Sequence, residues 1–137
     1  MQIREIPKAK KNKIGYINKN GVKSEANENE TFSYLTLFGM NIELIKPTGI
    51  KKAKNPDIFI MGSIWEVKTP ISANRNTIKN RFREASRQAS KIIFDLRFIK
   101  NNADKVEIQL INMFKTGGQV RRMLIIEKSG RLLDVTK

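Results

Sequence analysis

The fold is decided by the stretch Asn55-Pro56-Asp57-Ile58-Phe59-Ile60-Met61-Gly62-Ser63-Ile64-Trp65-Glu66-Val67-Lys68. Two runs rich in β-branched and aromatic residues flank Gly62-Ser63, which predicts a β-hairpin with a two-residue turn. A turn at Met61-Gly62 is the alternative, and it preserves the alternation of side chains. Either hairpin places Asp57, Glu66 and Lys68 on one face, while apolar side chains including Trp65 occupy the other face and pack in the core.

Two carboxylates and one ammonium on one face suit the hydrolysis of phosphodiesters. Asp57 and Glu66 can share an oxygen-seeking cation, Mg²⁺ or Mn²⁺, which activates water. Lys68 can orient that water or offset charge on the phosphoryl oxygens. The alternative is a solvated sheet face with a cross-strand salt bridge. Pro-Asp at the head of the first strand, the shared face and the net charge of the chain favour a catalytic site.

The composition points to a polyanionic partner. The 137 residues include 27 Lys and Arg against 13 Asp and Glu, a net charge of +14. Nucleic acid is favoured over a membrane surface, because the chain has neither an 18-residue apolar run nor a long Lys-rich amphipathic helix. The chain contains no His and no Cys. These absences exclude His general acid–base catalysis, Ser-His triads and thiolate zinc sites.

Patterning predicts an α/β sandwich, in which a central mixed sheet is flanked by helices. Residues 1–23 read as a basic arm or short strand, without a secretory signal. Within them, residues 1–13 are expected to form a mobile basic arm, or a junction left when a domain is cut from a larger protein, and residues 14–23 a short strand or turn around Asn20-Gly21. Residues 24–137 read as one domain that opens with a helix from Ser24 to Gly39. A second helix is expected at 76–98, where apolar residues recur at spacings of 3 and 4. Strands are expected at 41–46, 57–61, 64–68, 105–111, 121–127 and 131–135, which gives the order α-β-β-β-α-β-β-β.

Pro56-Asp57, eight intervening residues and Glu66-Val67-Lys68 resemble the PD-(D/E)xK motif of the restriction-endonuclease-like nucleases. That fold has the order α-β-β-β-α-β, and here a C-terminal hairpin would follow. The resemblance implies a further acid on the first helix, pointing at the metal. Junction-resolving members place it eleven residues before the Gly that closes the helix, which selects Glu28, with Glu25 and Glu30 as alternatives. Another reading is that these acids only serve the helix N-terminus.

A narrower resemblance covers about residues 24–136. Lys-Thr-Pro after the motif, the segments 77–80 and 84–90, and the final hairpin at 125–132 are similar to the tRNA-nuclease domain at the C-terminus of CdiA-type contact-dependent growth inhibition toxins. The resemblance implies cleavage of tRNA and growth inhibition. It also implies an immunity protein, expected to be acidic, and action in the bacterial cytoplasm after delivery within a larger exported protein.

Basic residues of the second helix predict a surface that follows phosphates, with a solvated basic face as the alternative. A band at spacings of four joins Arg75, Lys79, Arg83, Arg87 and Lys91, with only Glu84 to oppose their charge. The predicted nucleic-acid-binding residues are Thr77, Lys79, Arg83, Arg87, Gln88 and Lys91, with Lys52 and Lys54 from the loop before the hairpin.

Two other functions fit the same residues. One is a DNA endonuclease of junction-resolving or repair type, which would use the same acids. The other is a nucleic-acid-binding module without catalysis. Acids inside a cationic groove argue against the second alternative, because they repel phosphate.

Overall fold

The computed structural model describes residues 1–46 and 57–137, which form one eight-stranded mixed sheet with helices on both faces. The order across the sheet is β1-β8-β7-β6-β5-β4-β3-β2. The strands are β1 Gln2–Ile6, β2 Ile17–Asn18, β3 Ile42–Leu44, β4 Ile58–Ile60, β5 Ser63–Lys68, β6 Lys91–Asp95, β7 Arg122–Ile126 and β8 Leu132–Thr136. The helices are α1 Ala26–Thr36, α2 Arg75–Gln88 and α3 Ala103–Thr116, with a short 3-10 turn at Lys11–Lys13.

Two apolar clusters hold the layers together. One cluster joins α1 to Trp65, Val67 and Ile93 on the first face of the sheet. The other joins α2 and α3 to residues that include Ile92 and Phe94 on the second face. The expected layered α/β architecture and the burial of Trp65 are therefore confirmed. In the described ranges no helix is long and apolar enough to cross a membrane.

The predicted helix at 76–98 is wrong in its second half. Helix α2 ends at Gln88, and Lys91–Asp95 form β6, which pairs in parallel with both β5 and β7. Ile92, Ile93 and Phe94 are all fully buried. A strand between two parallel neighbours, covered on both faces, is a continuous apolar run. Ile92 within it and Leu96 directly after it continued the helical spacing by coincidence.

The predicted strand at 105–111 is also wrong, because these residues lie in α3. Val106, Ile108 and Leu110 alternate as in a strand, but the buried positions Val106, Leu110 and Phe114 recur every four residues. Ile108, which a strand would bury on the same face, is 60% exposed. Within the predicted strand the apolar residues fit the period of a strand as well as that of a helix. Only a longer window, one that includes Phe114, distinguishes the helix.

The N-terminal segment contributes to the same sheet. Residues 1–13, which we expected to form a mobile basic arm, include β1, paired antiparallel with β8 along all five of its residues. Arg4 of β1 lies 3.6 Å from the buried carboxylate of Asp134. The segment 14–23, expected to hold a strand or turn, contains β2 and a turn at Asn20-Gly21, where both residues have positive φ.

A buried carboxylate connects α1 to the sheet. Asp95, at the end of β6, is fully buried and accepts hydrogen bonds from Thr31 Oγ1 of α1 at 2.6 Å and from Arg97 Nη2 at 2.8 Å. We expect Asp95→Asn to lower the free energy of unfolding by about 2 kcal/mol, because a buried, charge-assisted network loses its charge. Urea unfolding measures this, with the exposed Asp104→Asn as the control, expected to change stability by less than about 0.5 kcal/mol. Equal losses in the two variants would contradict the prediction.

Candidate active site

The turn of the β4–β5 hairpin sets which side chains face each other. Ile58 pairs with Trp65, and Ile60 pairs with Ser63, so the two-residue turn is Met61-Gly62 and not Gly62-Ser63. Both turn residues have positive φ, 49° and 77°, as a type I′ turn requires, and its twist matches that of the strands. Continued by one pair, this register places Asp57 opposite Glu66.

A close pair of carboxyl groups results from this register. Glu66 is only 1% exposed, and within the described part of the chain its Oε2 has no hydrogen-bond partner. Burial, together with the nearby carboxyl of Asp57, which can share a proton with it, raises the pKa of Glu66 to about 9; Lys68 opposes the shift. Glu66 without a bound cation is therefore an acid that holds its proton at neutral pH.

Lys68, at the end of β5, lies between two acids from different elements. Its side chain is 6% exposed, and its Nζ lies 3.7 Å from Glu66 Oε1 and 3.5 Å from Glu84 Oε2 of α2. Arg81, one turn earlier on α2, lies 3.4 Å from the same oxygen of Glu84. The ammonium is thus held beside the acid pair by the charge of Glu84, and α2 contributes directly to the site.

Glu84 was missed as a site residue by the sequence reasoning, which counted it only as an opposing charge on a basic helix. Its contact with Lys68 depends on how α2 packs against β5, and local patterning does not encode that packing. One signal was available: α2 contains five Arg and Lys residues and a single acid, Glu84. A single acid on a strongly basic helix is a candidate for an ion pair with a cation of another element.

Glu28 is buried on α1, as expected, and it also caps its own helix. It forms a capping box with Glu25, whose backbone N–H donates to Glu28 Oε1 at 3.0 Å, so Glu25 and not Ser24 is the N-cap. Burial raises the pKa of Glu28, and the hydrogen bond from Glu25 opposes that shift. In residues 1–46 and 57–137 no three acids form a group that could hold one metal ion. Glu28 acts on Glu66 and Lys68 through its charge.

The predicted nucleic-acid-binding residues of α2 do not form one band. Thr77 borders a cleft beside Lys68, Lys79 borders a separate cavity of about 490 Å³ against α3, and Arg83 and Arg87 are exposed, as is Gln88. Positions four apart drift by about 40° at each step around a helix, so a long row of them turns away from any one face.

Three further predicted nucleic-acid-binding residues lie away from α2. Lys91 belongs to β6, not to the helix, and its Nζ donates to Ser63 Oγ at 2.6 Å. Lys52 and Lys54 lie outside the described residues, as does Pro56 of the predicted motif. Their proposed contacts with nucleic acid stay predictions.

Comparison with known proteins places the chain in a family. The profile of the contact-dependent growth inhibition CdiA C-terminal domain matches residues 54–132, more than half of the chain. This chain is a CdiA C-terminal domain. The match contains the complete β4–β5 hairpin with Asp57, Glu66 and Lys68, together with α2 and its Glu84. The chain thus belongs to the growth-inhibiting toxins of contact-dependent inhibition.

A solved structure has a similar fold. A chain of the CdiA-CT/CdiI toxin and immunity complex from Burkholderia pseudomallei superposes with a TM-score of 0.64, at 20% sequence identity, over 90% of this CdiA C-terminal domain and 100% of the matched chain. At 20% sequence identity, the similarity between the two chains shows a shared fold. No curated protein matches the chain in sequence.

Proposed function

We propose that this CdiA C-terminal domain is a metal-dependent endonuclease that cleaves phosphodiester bonds of tRNA and inhibits growth by doing so in the cytoplasm of a target cell. The observation that carries the proposal is the buried Glu66, paired with the carboxyl of Asp57 and lying beside Lys68 in a chain of net charge +14. A buried acid whose pKa is raised by burial and by a neighbouring carboxyl is unfavourable for folding, so its presence in a cationic domain favours a functional role.

The residues at the pair fit a divalent cation. Glu66 Oε2 has no hydrogen-bond partner among the described residues, and a buried oxygen left in this way is suited to a ligand bond. Carboxylate oxygens are the donors that Mg²⁺ and Mn²⁺ prefer, and Asp57 and Glu66 would hold the ion. The ion would supply Lewis acidity for hydrolysis. A third ligand role for Glu28 is not needed, because Mg²⁺ keeps several waters in most protein sites.

The side chains around the pair have separate tasks in this proposal. Lys68 stabilises the negative charge that develops on the phosphoryl oxygens, since its ammonium is already held next to the acids and needs no reorganisation. Glu84 positions Lys68 from the α2 side. The negative charge of Glu28 favours the retention of a cation at Asp57 and Glu66. This arrangement supports assignment to the PD-(D/E)xK nucleases, as does the element order α-β-β-β-α-β from α1 to β6.

We further propose that an acidic immunity protein neutralises the domain by covering its cationic surface. The surplus of fourteen positive charges would steer such a partner and speed association. The structurally similar chain comes from a toxin and immunity complex, which makes a partner of this type the natural one to test.

The function is tested by incubating the purified domain with total tRNA and, separately, with plasmid DNA, in Mg²⁺ and in EDTA. We expect discrete tRNA fragments in Mg²⁺, none in EDTA, and recovery of cleavage when Mg²⁺ is added back in excess. Cleavage that persists in EDTA would contradict a metal site, and selective loss of plasmid DNA would establish the DNA endonuclease instead. Binding of tRNA without cleavage of either substrate would favour a silent binding module.

A further inference from the structure

A cleft of about 520 Å³ opens next to Lys68, where β5 ends and the first turns of α1 and α2 approach each other. Its volume is in the range of small-molecule sites and suits one nucleotide. The side chains that matter for a ligand are Glu25, Asn27, Lys68, Ile71, Thr77 and Arg81. Asp57 and Glu66 do not border it, so the cleft is a neighbour of the acid pair and not the pair itself.

The α2 side of the cleft carries positive charge. The guanidinium of Arg81 is half exposed, and the Lys68 ammonium lies at the boundary between the cleft and the acid pair. A phosphate held at the acid pair would therefore leave its neighbouring nucleotide at the mouth of this cleft, with a cation for the next phosphate. Among the described residues, the hydroxyl of Thr77 makes one long contact, to Asn74 Oδ1 at 3.5 Å, and can turn to donate to a ligand.

The α1 side of the cleft carries the groups that read base edges. Asn27 is half-buried, and among the described residues its side-chain amide makes no hydrogen bond. The amide oxygen of Asn27 is an acceptor that can take one N–H of an exocyclic amine. Glu25 is exposed, and its carboxylate, which already accepts from the Glu28 backbone N–H, has a further oxygen for the second N–H of the amine. Uracil has no amine and offers one N–H to these two acceptors. Ile71, 70% exposed, offers an apolar surface for the flat side of the base.

We propose that this cleft binds the nucleotide next to the scissile phosphate and selects a base with an exocyclic amine, adenine, cytosine or guanine, through Asn27 and Glu25. The inference rests on the proposed nuclease function and adds base recognition to it. A base can place its edge inside a cleft only after it has left its helical stack, so the cut lies in an unpaired segment of the RNA and not within a stem.

Binding of single nucleotides tests the cleft independently of cleavage. The folded domain, labelled with ¹⁵N and kept in EDTA, is titrated with AMP, CMP, GMP and UMP, and the side-chain amide signals of Asn27 and Asn112 are followed by NMR. Asn112 is a matched control, because it lies on α3 in a different cavity. We expect the Asn27 amide to shift with at least one amine-bearing nucleotide and at least about fivefold weaker binding of UMP. Equal affinity for all four nucleotides, or no shift of Asn27, would overturn the inference.

Mapping of cut sites gives the second test. Fragment ends from total tRNA are sequenced after digestion by the wild type, Asn27→Ala and Asn112→Ala, with thermal melting as the check of folding. We expect Asn27→Ala to lose the preference for an amine-bearing base beside the cut, while Asn112→Ala keeps it. An unchanged preference in Asn27→Ala would overturn the inference and leave the nuclease proposal standing. If the wild type cuts no RNA, the nuclease proposal fails, and the nucleotide titration still decides whether the cleft reads bases.

Discussion

Lys68→Ala is expected to lower the rate of tRNA cleavage by about 10³-fold, within the range that one positioned catalytic group contributes. The substitution removes the ammonium that lies within 3.7 Å of both Glu66 and Glu84. Two consequences follow. The developing charge on the phosphoryl oxygens loses its preorganised cation, and two acids that Lys68 separates are left to repel each other. Cleavage is measured in single-turnover assays, and tRNA binding is measured separately by filter retention.

A control for general charge is needed, because any lost lysine weakens attraction to RNA. Lys115→Ala removes an exposed lysine from the last turn of α3 and is expected to change cleavage by less than about fivefold. We expect both variants to bind tRNA with similar affinity, so the effect of Lys68 appears in the rate constant and not in binding. Equal losses of cleavage in the two variants would show that Lys68 serves only as one charge among many.

The candidate site was more predictable from the sequence than the fold around it. Asp57, Glu66 and Lys68 come together because alternation in a hairpin is insensitive to which two-residue turn is used, so the error over the Met61-Gly62 turn left the shared face unchanged. The choice of turn does decide which residue lies opposite Asp57. The Met61-Gly62 turn of the structure places Glu66 there, whereas a Gly62-Ser63 turn would have placed Lys68 there. The alternation of side chains along a strand is a local rule, so it could be applied before any tertiary contact was known.

The features that failed depend on long-range contacts. Residues 92–94 are a strand because β5 and β7 flank them, and nothing within the segment distinguishes that from the next turn of α2. Glu84 reaches Lys68 through the packing of α2 on the sheet. In each case tertiary contacts overrode a local pattern.

Glu66→Gln is expected to lower the rate of tRNA cleavage by about 10³-fold or more. The same substitution is expected to stabilise the metal-free domain. Glutamine keeps the size of the side chain but carries no charge, so burial no longer penalises it. Since burial and Asp57 raise the pKa of Glu66 from 4.5 to about 9, the unfolded chain releases this proton at lower pH than the folded domain does. Stability of the wild type in EDTA therefore falls as pH rises from about 4.5 toward 9.

The comparison of wild type with Glu66→Gln cancels the titrating groups that do not interact with Glu66. We expect the stability difference to be near zero at pH 4 and to favour Glu66→Gln by on the order of 5 kcal/mol at pH 8 in EDTA. Urea unfolding at each pH measures it. Glu107→Gln is a matched control: burial and Glu127 raise the pKa of Glu107 to about 7, far from the proposed site, so this variant should retain cleavage.

Added Mg²⁺ should reverse the order of stability. A cation that binds the folded wild type stabilises it in proportion to its concentration relative to the dissociation constant, and it replaces the proton on Glu66. Glu66→Gln has lost one of the two ligands and should gain little, while Glu107→Gln should gain as much as the wild type. If Mg²⁺ stabilises Glu66→Gln equally, the ion binds elsewhere, and the pair of Asp57 and Glu66 is not the metal centre. If Mg²⁺ restores the stability that the metal-free wild type loses through Glu66, the lower free energy of unfolding in EDTA measures what the acid pair costs the fold in the absence of its ion.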